Sequence, residues 1–219
     1  MRIRLYLCLI AAAAATSLAR PAAANLATTA SVYLKSDPGS YVGVGIGAPE
    51  VTWRHGVDGI FSGAQSFNQS VSISYTGDNY WTFQFAAPTY DSVANTNVGQ
   101  SLAVGYYDNA TRFPFNSPTR PGISVFGAGR GNNQQSGWFR VLDFNMGVTG
   151  DIDRLAVDFR QYDENLVMAG PSLYGSLRFN SAVPLTPVPE PAAALLLAGG
   201  LAVVARVVRR RHSHCARPI

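Results

Sequence analysis

The chain has 219 residues, of which 14% are charged and 47% hydrophobic, with a net charge of +4 and a mean hydropathy of +0.06. That length fits one domain, and the balance excludes a disordered chain and a multi-span membrane protein. The basic residues sit at the ends: the first 24 residues hold three arginines and no acid, and residues 188–219 hold five arginines against Glu190. Residues 25–187 hold nine basic and twelve acidic residues, which excludes a nucleic-acid-binding body.

The N-terminus has the layout of an export signal. Arg2 and Arg4 precede an unbroken apolar run of 11 residues, Leu5 to Ala15, and the small residues Ala22 and Ala24 precede Asn25. The sequence predicts removal of residues 1–24 by signal peptidase, because the apolar run is too short to cross about 30 Å of hydrocarbon.

Strand periodicity then takes over. The expected strands are 29–34, 41–46, 71–75, 80–86, 102–107, 123–127, 137–145, 154–159 and 173–179, separated by turn signals such as Asp37-Pro38-Gly39 and Thr76 to Asn79. In 154–159 the apolar Leu155, Val157 and Phe159 share one face. About nine such strands predict an all-β, antiparallel β-sandwich over 25–181. The exported body has no cysteine, which excludes a disulfide framework, a cysteine nucleophile and a cysteine zinc site there.

Catalytic signatures are absent from this body. His55 is its only histidine, there is no G-x-S-x-G elbow, and the G-x-G runs at 43–47 and 127–131 open no predicted helix. Asp151, Asp153, Asp158, Asp163 and Glu164 are the carboxylates available to a glycosidase-like pair. The sequence predicts no enzyme, no metal and no cofactor. Aromatic and amide side chains suit saccharides, and Trp81, Asn132 and Asn133 are the candidate glycan contacts.

After a linker at 182–187 comes Pro189-Glu190-Pro191, whose prolines hold the glutamate in extended geometry. Residues 192–208 form a 17-position apolar stretch, at the lower limit for a transmembrane helix. Arg206 and the triplet Arg209, Arg210 and Arg211 act as a membrane stop on the cytoplasmic side, followed by a tail at 212–219. Its His212, His214 and Cys215 lack the remaining ligands of a zinc site.

The proline-glutamate-proline motif, apolar helix and arginine cluster, spanning 188–211, resemble the PEP-CTERM sorting signal. That resemblance implies a Gram-negative bacterium that makes exopolysaccharide. It also implies processing by exosortase, a membrane protease, with transient anchoring in the inner membrane and delivery to the cell surface or matrix. The tail after the triplet is longer than that pattern has. A plain tail anchor is the alternative.

The stretches SDPGSYVGVG (36–45), TRFPFNSP (111–118), GAGRGNN (127–133), GWFRVLDF (137–144), RLAVDFRQYDE (154–164) and GSLRFNS (175–181) resemble a recurrent secreted bacterial domain without assigned activity. Paired cysteines are common in that family, and the matching region here carries Asn132 and Asp163; the resemblance implies that these two segments are neighbours. The expected function is a non-enzymatic structural or adhesive protein, with a polysaccharide-binding module or a glycosidase-like enzyme as alternatives.

Overall fold

The computed structural model describes residues 25–65, 70–91, 96–97, 102–147 and 151–185. The expected signal peptide, including Ala22 and Ala24, lies outside the described residues. So do the sorting motif Pro189 to Pro191, the transmembrane stretch 192–208 and the arginines Arg206 and Arg209 to Arg211. Among the described residues there is no α-helix, and no helix is long and apolar enough to cross a membrane.

The body is all-β. Its strands are β1 (Asn25–Leu26), β2 (Ala30–Ser36), β3 (Glu50–Arg54), β4 (Ile60–Gln65), β5 (Val71–Thr76), β6 (Tyr80–Ala86), β7 (Tyr90–Asp91) and β8 (Thr96–Asn97). They continue with β9 (Gly105–Arg112), β10 (Gly122–Gly127), β11 (Gln135–Met146), β12 (Ile152–Asp163) and β13 (Ser172–Phe179). Eleven of them form one sheet in the order β1-β4-β5-β6-β10-β9-β11-β12-β13-β2-β3, and β7 and β8 pair separately.

That arrangement corrects the two-layer antiparallel sandwich expected from the sequence. The sheet is single, and it is mixed because β9 and β10 run parallel. It rolls up into a near-barrel: Phe83 and Phe85 on β6 meet Phe159 on β12 at 6.2 and 5.6 Å, although three strands separate β6 from β12 in the ladder. The first strand does the joining. β1 pairs with β4, and the same chain continues into β2, which pairs with β13 and β3. Register shifts in β11 at Val141/Asp143 and Asn145/Met146 add the coiling that a rolled sheet needs.

The core follows from strand alternation. On β12, Leu155, Val157, Phe159 and Gln161 point inward while Asp158, Arg160 and Tyr162 are partly exposed. Gly175 on β13 is required by this packing, because a Cβ there would lie 2.2 Å from the Phe159 ring.

Two further expectations change. The alternating run 41–46 is not a strand: Gly43–Ile46 form a short 3-10 turn, closed by Gly47 at φ 76°. A Cβ at Gly43 would lie 2.2 Å from Ser36 Oγ, so the turn packs tightly against β2. The strand expected at 102–107 begins later, at Gly105, and extends to Arg112.

The ladder is interrupted where β9 and β10 part after only two paired positions. Past Ile123 the free edge of β10 is bonded by side chains instead. Gln161, fully buried, accepts from Val125 N at 2.8 Å and donates to Val125 O at 2.9 Å. Gln135 Nε2 donates to Ile123 O. Two side-chain amides thus stand in for a neighbouring strand.

Candidate functional site

The strand register gathers four connections at one end of the rolled sheet: 37–49, 77–79, 128–134 and 164–171. Of the residues singled out in the sequence, Trp81, Asn132, Asn133, Asp163 and Glu164 lie on or beside this rim.

Asn132 and Asp163 meet there. Asn132 is buried and its Nδ2 donates to Asp163 Oδ1 at 2.8 Å, while Ser40 Oγ donates to Asp163 Oδ2. The Ser40 oxygen in turn accepts from Gly43 N at 3.0 Å. Next to them, Glu164, at φ 44°, receives the backbone N–H groups of Asn133 at 2.6 Å and Gln134 at 3.3 Å. Asp163 and Glu164 therefore latch the β10–β11 connection to the end of β12. Asn133 itself is exposed.

Trp81 is placed differently from the expectation. It is 0% exposed, at the centre of the aromatic core beside Trp53 at 5.6 Å and Phe83 at 6.5 Å. A fully enclosed indole presents no face to a sugar. Tyr80, its neighbour, is 53% exposed and its hydroxyl bonds Ser74 Oγ at 3.2 Å.

The rim holds a cleft of about 440 Å³ at the seam of the near-barrel, between β3 and the β5–β6 turn. Its floor is the pair Trp53 and Tyr75, stacked at 4.5 Å with 2° between their planes. Asp58, Asp78 and Asn79 stand at its edge. The seam exists because, among the described residues, β3 pairs only with β2; toward β4 there is a single bridge, His55 with Gly59. His55 closes this corner: its N–H donates to Ala30 O at 2.8 Å, and its Nδ1 accepts from Phe61 N at 3.0 Å.

The cleft's carboxylates are not equivalent. Asp58 Oδ2 accepts from Arg54 N at 2.8 Å and Arg54 Nε at 3.2 Å, whereas Asp78 is exposed on the turn. Burial, followed by the charges of Asp58 and Asp78, raises the Tyr75 hydroxyl above its ordinary value, and that hydroxyl donates to Asp58 O at 2.8 Å. A second hollow of about 520 Å³ adjoins at Asn79 and Tyr80, bounded by Phe126 and Arg130. Arg130 covers the Tyr41 ring at 5.1 Å.

The other acids lie away from the cleft. Asp151 and Asp153 are at the opposite end of the sheet, where Asp153 accepts from Asn145 Nδ2 at 2.9 Å. Asp158 is tied to Arg178 and Ser176 on the outer face. Among the described residues, no group of three or more His, Cys, Asp or Glu is placed to hold a metal ion.

Sequence reasoning missed Trp53, Tyr75, Asp58 and Asp78 as a group. They come from three different segments, and β3, which carries Trp53, was not among the expected strands. Set against known proteins, no family model matches the chain, and no curated protein or solved structure matches it either.

Proposed function

We propose that this chain is an exported protein of the cell surface or extracellular matrix, sorted through Pro189, Glu190 and Pro191 by an exosortase-type protease and serving as a non-enzymatic structural or adhesive component. One observation carries most of this reading: the fold is fastened at both of its exits. β1 lies directly after the proposed cleavage position, and its Asn25 and Leu26 pair with Gly63 and Ser62 of β4.

At the other exit the chain is gripped by Arg178, only 3% exposed. Its guanidinium donates to Val183 O at 3.1 Å and Pro184 O at 3.0 Å, and pairs with Asp158 at 2.9 Å. Ser181 adds a bond to Asp143 at 2.8 Å. A body tied down this close to the sorting motif would remain folded while the flanking segment is cut.

The non-enzymatic part draws support from the rim. A glycosidase needs one carboxyl kept protonated in apolar surroundings and a second one ionised. In the cleft Asp58 is paired with Arg54, and Asp78 is open to water, so neither carboxyl sits in apolar surroundings.

A polysaccharide-binding module is the second reading, favoured by the Trp53–Tyr75 floor with Asp78 and Asn79 at its edge. Aromatic faces with polar groups around them fit the alternating apolar and hydroxyl surfaces of a pyranose.

The sorting claim is tested by Glu190→Gln in the exporting host. The body should then stay with the inner membrane, while the unaltered chain is found outside it. Equal release of both would overturn the proposal.

A further inference from the structure

The outer face of the sheet carries a groove that neither the rim nor the core explains. Register places Trp138, Arg160, Tyr174 and Lys35 in one row across β11, β12, β13 and β2, and sets Tyr106 opposite Arg140 between β9 and β11. The Tyr106 and Trp138 rings are 5.8 Å apart, and Trp138 and Tyr174 are 6.4 Å apart.

Two irregularities frame this group. Against β9 the register jumps between Gly137 and Phe139, where Asn109 sits at φ 53°; against β12 it jumps between Val141 and Asp143, leaving Leu142 as the extra residue. Such bulges re-aim side chains and bend the strand. Here they open a groove of about 350 Å³ bounded by Val104, Tyr106, Arg140 and Leu142. Tyr106 is 59% exposed and Val104 63%, so the walls are apolar surface left to solvent.

The cations of this face divide into two kinds. Arg160 is bonded to Asp37 and Ser172, Arg178 to Asp158, and Arg154 to Asp143. Arg140 is exposed, and its guanidinium makes no hydrogen bond or ion pair with any described residue. A free guanidinium between two accessible rings offers a planar fork for a carboxylate and apolar faces for what the carboxylate is attached to.

We propose that the β9–β11 groove binds an acidic polysaccharide, Arg140 taking a uronate carboxylate while Tyr106 and Trp138 stack on the adjoining pyranose faces. The proposal rests on the polysaccharide-binding reading and supplies its ligand class and a site distinct from the rim cleft. A single-stranded nucleic acid fits less well. Its phosphates call for several cations along one path, and Arg140 is the one cation among the residues that line the groove.

Affinity electrophoresis of the full chain in native gels containing polygalacturonate, dextran or polydeoxythymidine tests this, with Trp fluorescence as a second readout. Polygalacturonate should retard the protein, added salt should weaken the effect, and dextran should retard it less. Arg140→Gln should lower the polygalacturonate affinity about tenfold or more, in line with a charged hydrogen bond, and Tyr106→Ala should lower it as well. Both positions are exposed, and an unchanged circular dichroism spectrum would show that the fold is kept.

Retention by polygalacturonate that Arg140→Gln does not alter would overturn the proposal, as would tighter binding of polydeoxythymidine. Retardation by dextran alone, lost in Trp53→Ala, would overturn it while leaving the polysaccharide-binding reading standing. No retardation by either saccharide would defeat both.

Discussion

Among the described residues the hydrogen-bonded ladder of the near-barrel fails between β9 and β10 and between β3 and β4, and the two gaps are finished in opposite ways. Between β9 and β10 the gap is sealed from within: Gln135 and Gln161, both buried, bond the backbone of Ile123 and Val125. Between β3 and β4 the gap is held at one corner by His55 and otherwise left as a cleft floored by Trp53 and Tyr75. A gap closed by buried amides has no room for anything else, so its residues serve stability. A gap left open with rings and polar groups at its edge is where a ligand can enter. Substitutions should separate the two roles.

The largest effect is expected at the sealed gap. Gln161→Leu removes an acceptor and a donor from Val125 and leaves both of its backbone groups buried without partners. At about 1–3 kcal/mol for each such group, the loss should be about 4 kcal/mol in urea denaturation. A change below about 0.5 kcal/mol would mean that the amide is not a substitute strand.

Arg178→Met should come next, at about 3 kcal/mol, since it takes the ion-pair partner from Asp158, which keeps Ser176, and releases Val183 and Pro184. It should also speed proteolysis at the exit near Pro184. A stable protein with an unaltered cleavage pattern would show that the exit is not fastened there.

At the open seam, His55→Ala should cost only about 1 kcal/mol, because Phe61 N loses one acceptor at a half-buried site. Trp53 fluorescence should change more than stability does. The opposite ranking, with His55 outweighing Gln161, would break the comparison.

The smallest expected effect is in pH dependence. Burial favours the neutral form of Asp37, but bonds from Ser172 and Arg160 outweigh it and hold the carboxyl below its ordinary value of 3.8. Its stabilisation is therefore present above that value and is lost as the pH falls through the lowered one. Arg160→Gln should flatten the acid limb of the stability profile. At the alkaline end, burial and then Asp158 push Tyr174 up to about 12, against the opposing charge of Arg178. A spectrophotometric titration should find one tyrosine that ionises only near that pH, and stability should decline as the pH rises through it.

How much of this was legible in the sequence varies with the physics of each element. β5, β6, β12 and β13 were found within a few residues because their buried positions alternate or run continuously. The 41–46 segment alternates too, but its glycines allow a tight turn against Ser36 and Ser40. β3 was missed because an edge strand is half exposed and reads as polar, and β9 was displaced because Asp108 and Asn109, a turn signal by type, form a bulge inside it. No local pattern encodes a parallel pairing of β9 with β10, nor the meeting of Trp53 with Tyr75 and Asp78 from a separate hairpin. The contact between residues 132 and 163 was anticipated through resemblance, and Asn132 bonds Asp163 there.

The proposed route of export is tested most directly by the termini of the protein recovered outside the cells. Sequencing from both ends should find Asn25 at the start and a C-terminus at or near Pro189 to Pro191. Recovery of a chain that begins at Met1, or that still carries Arg209 to Arg211, would contradict the account.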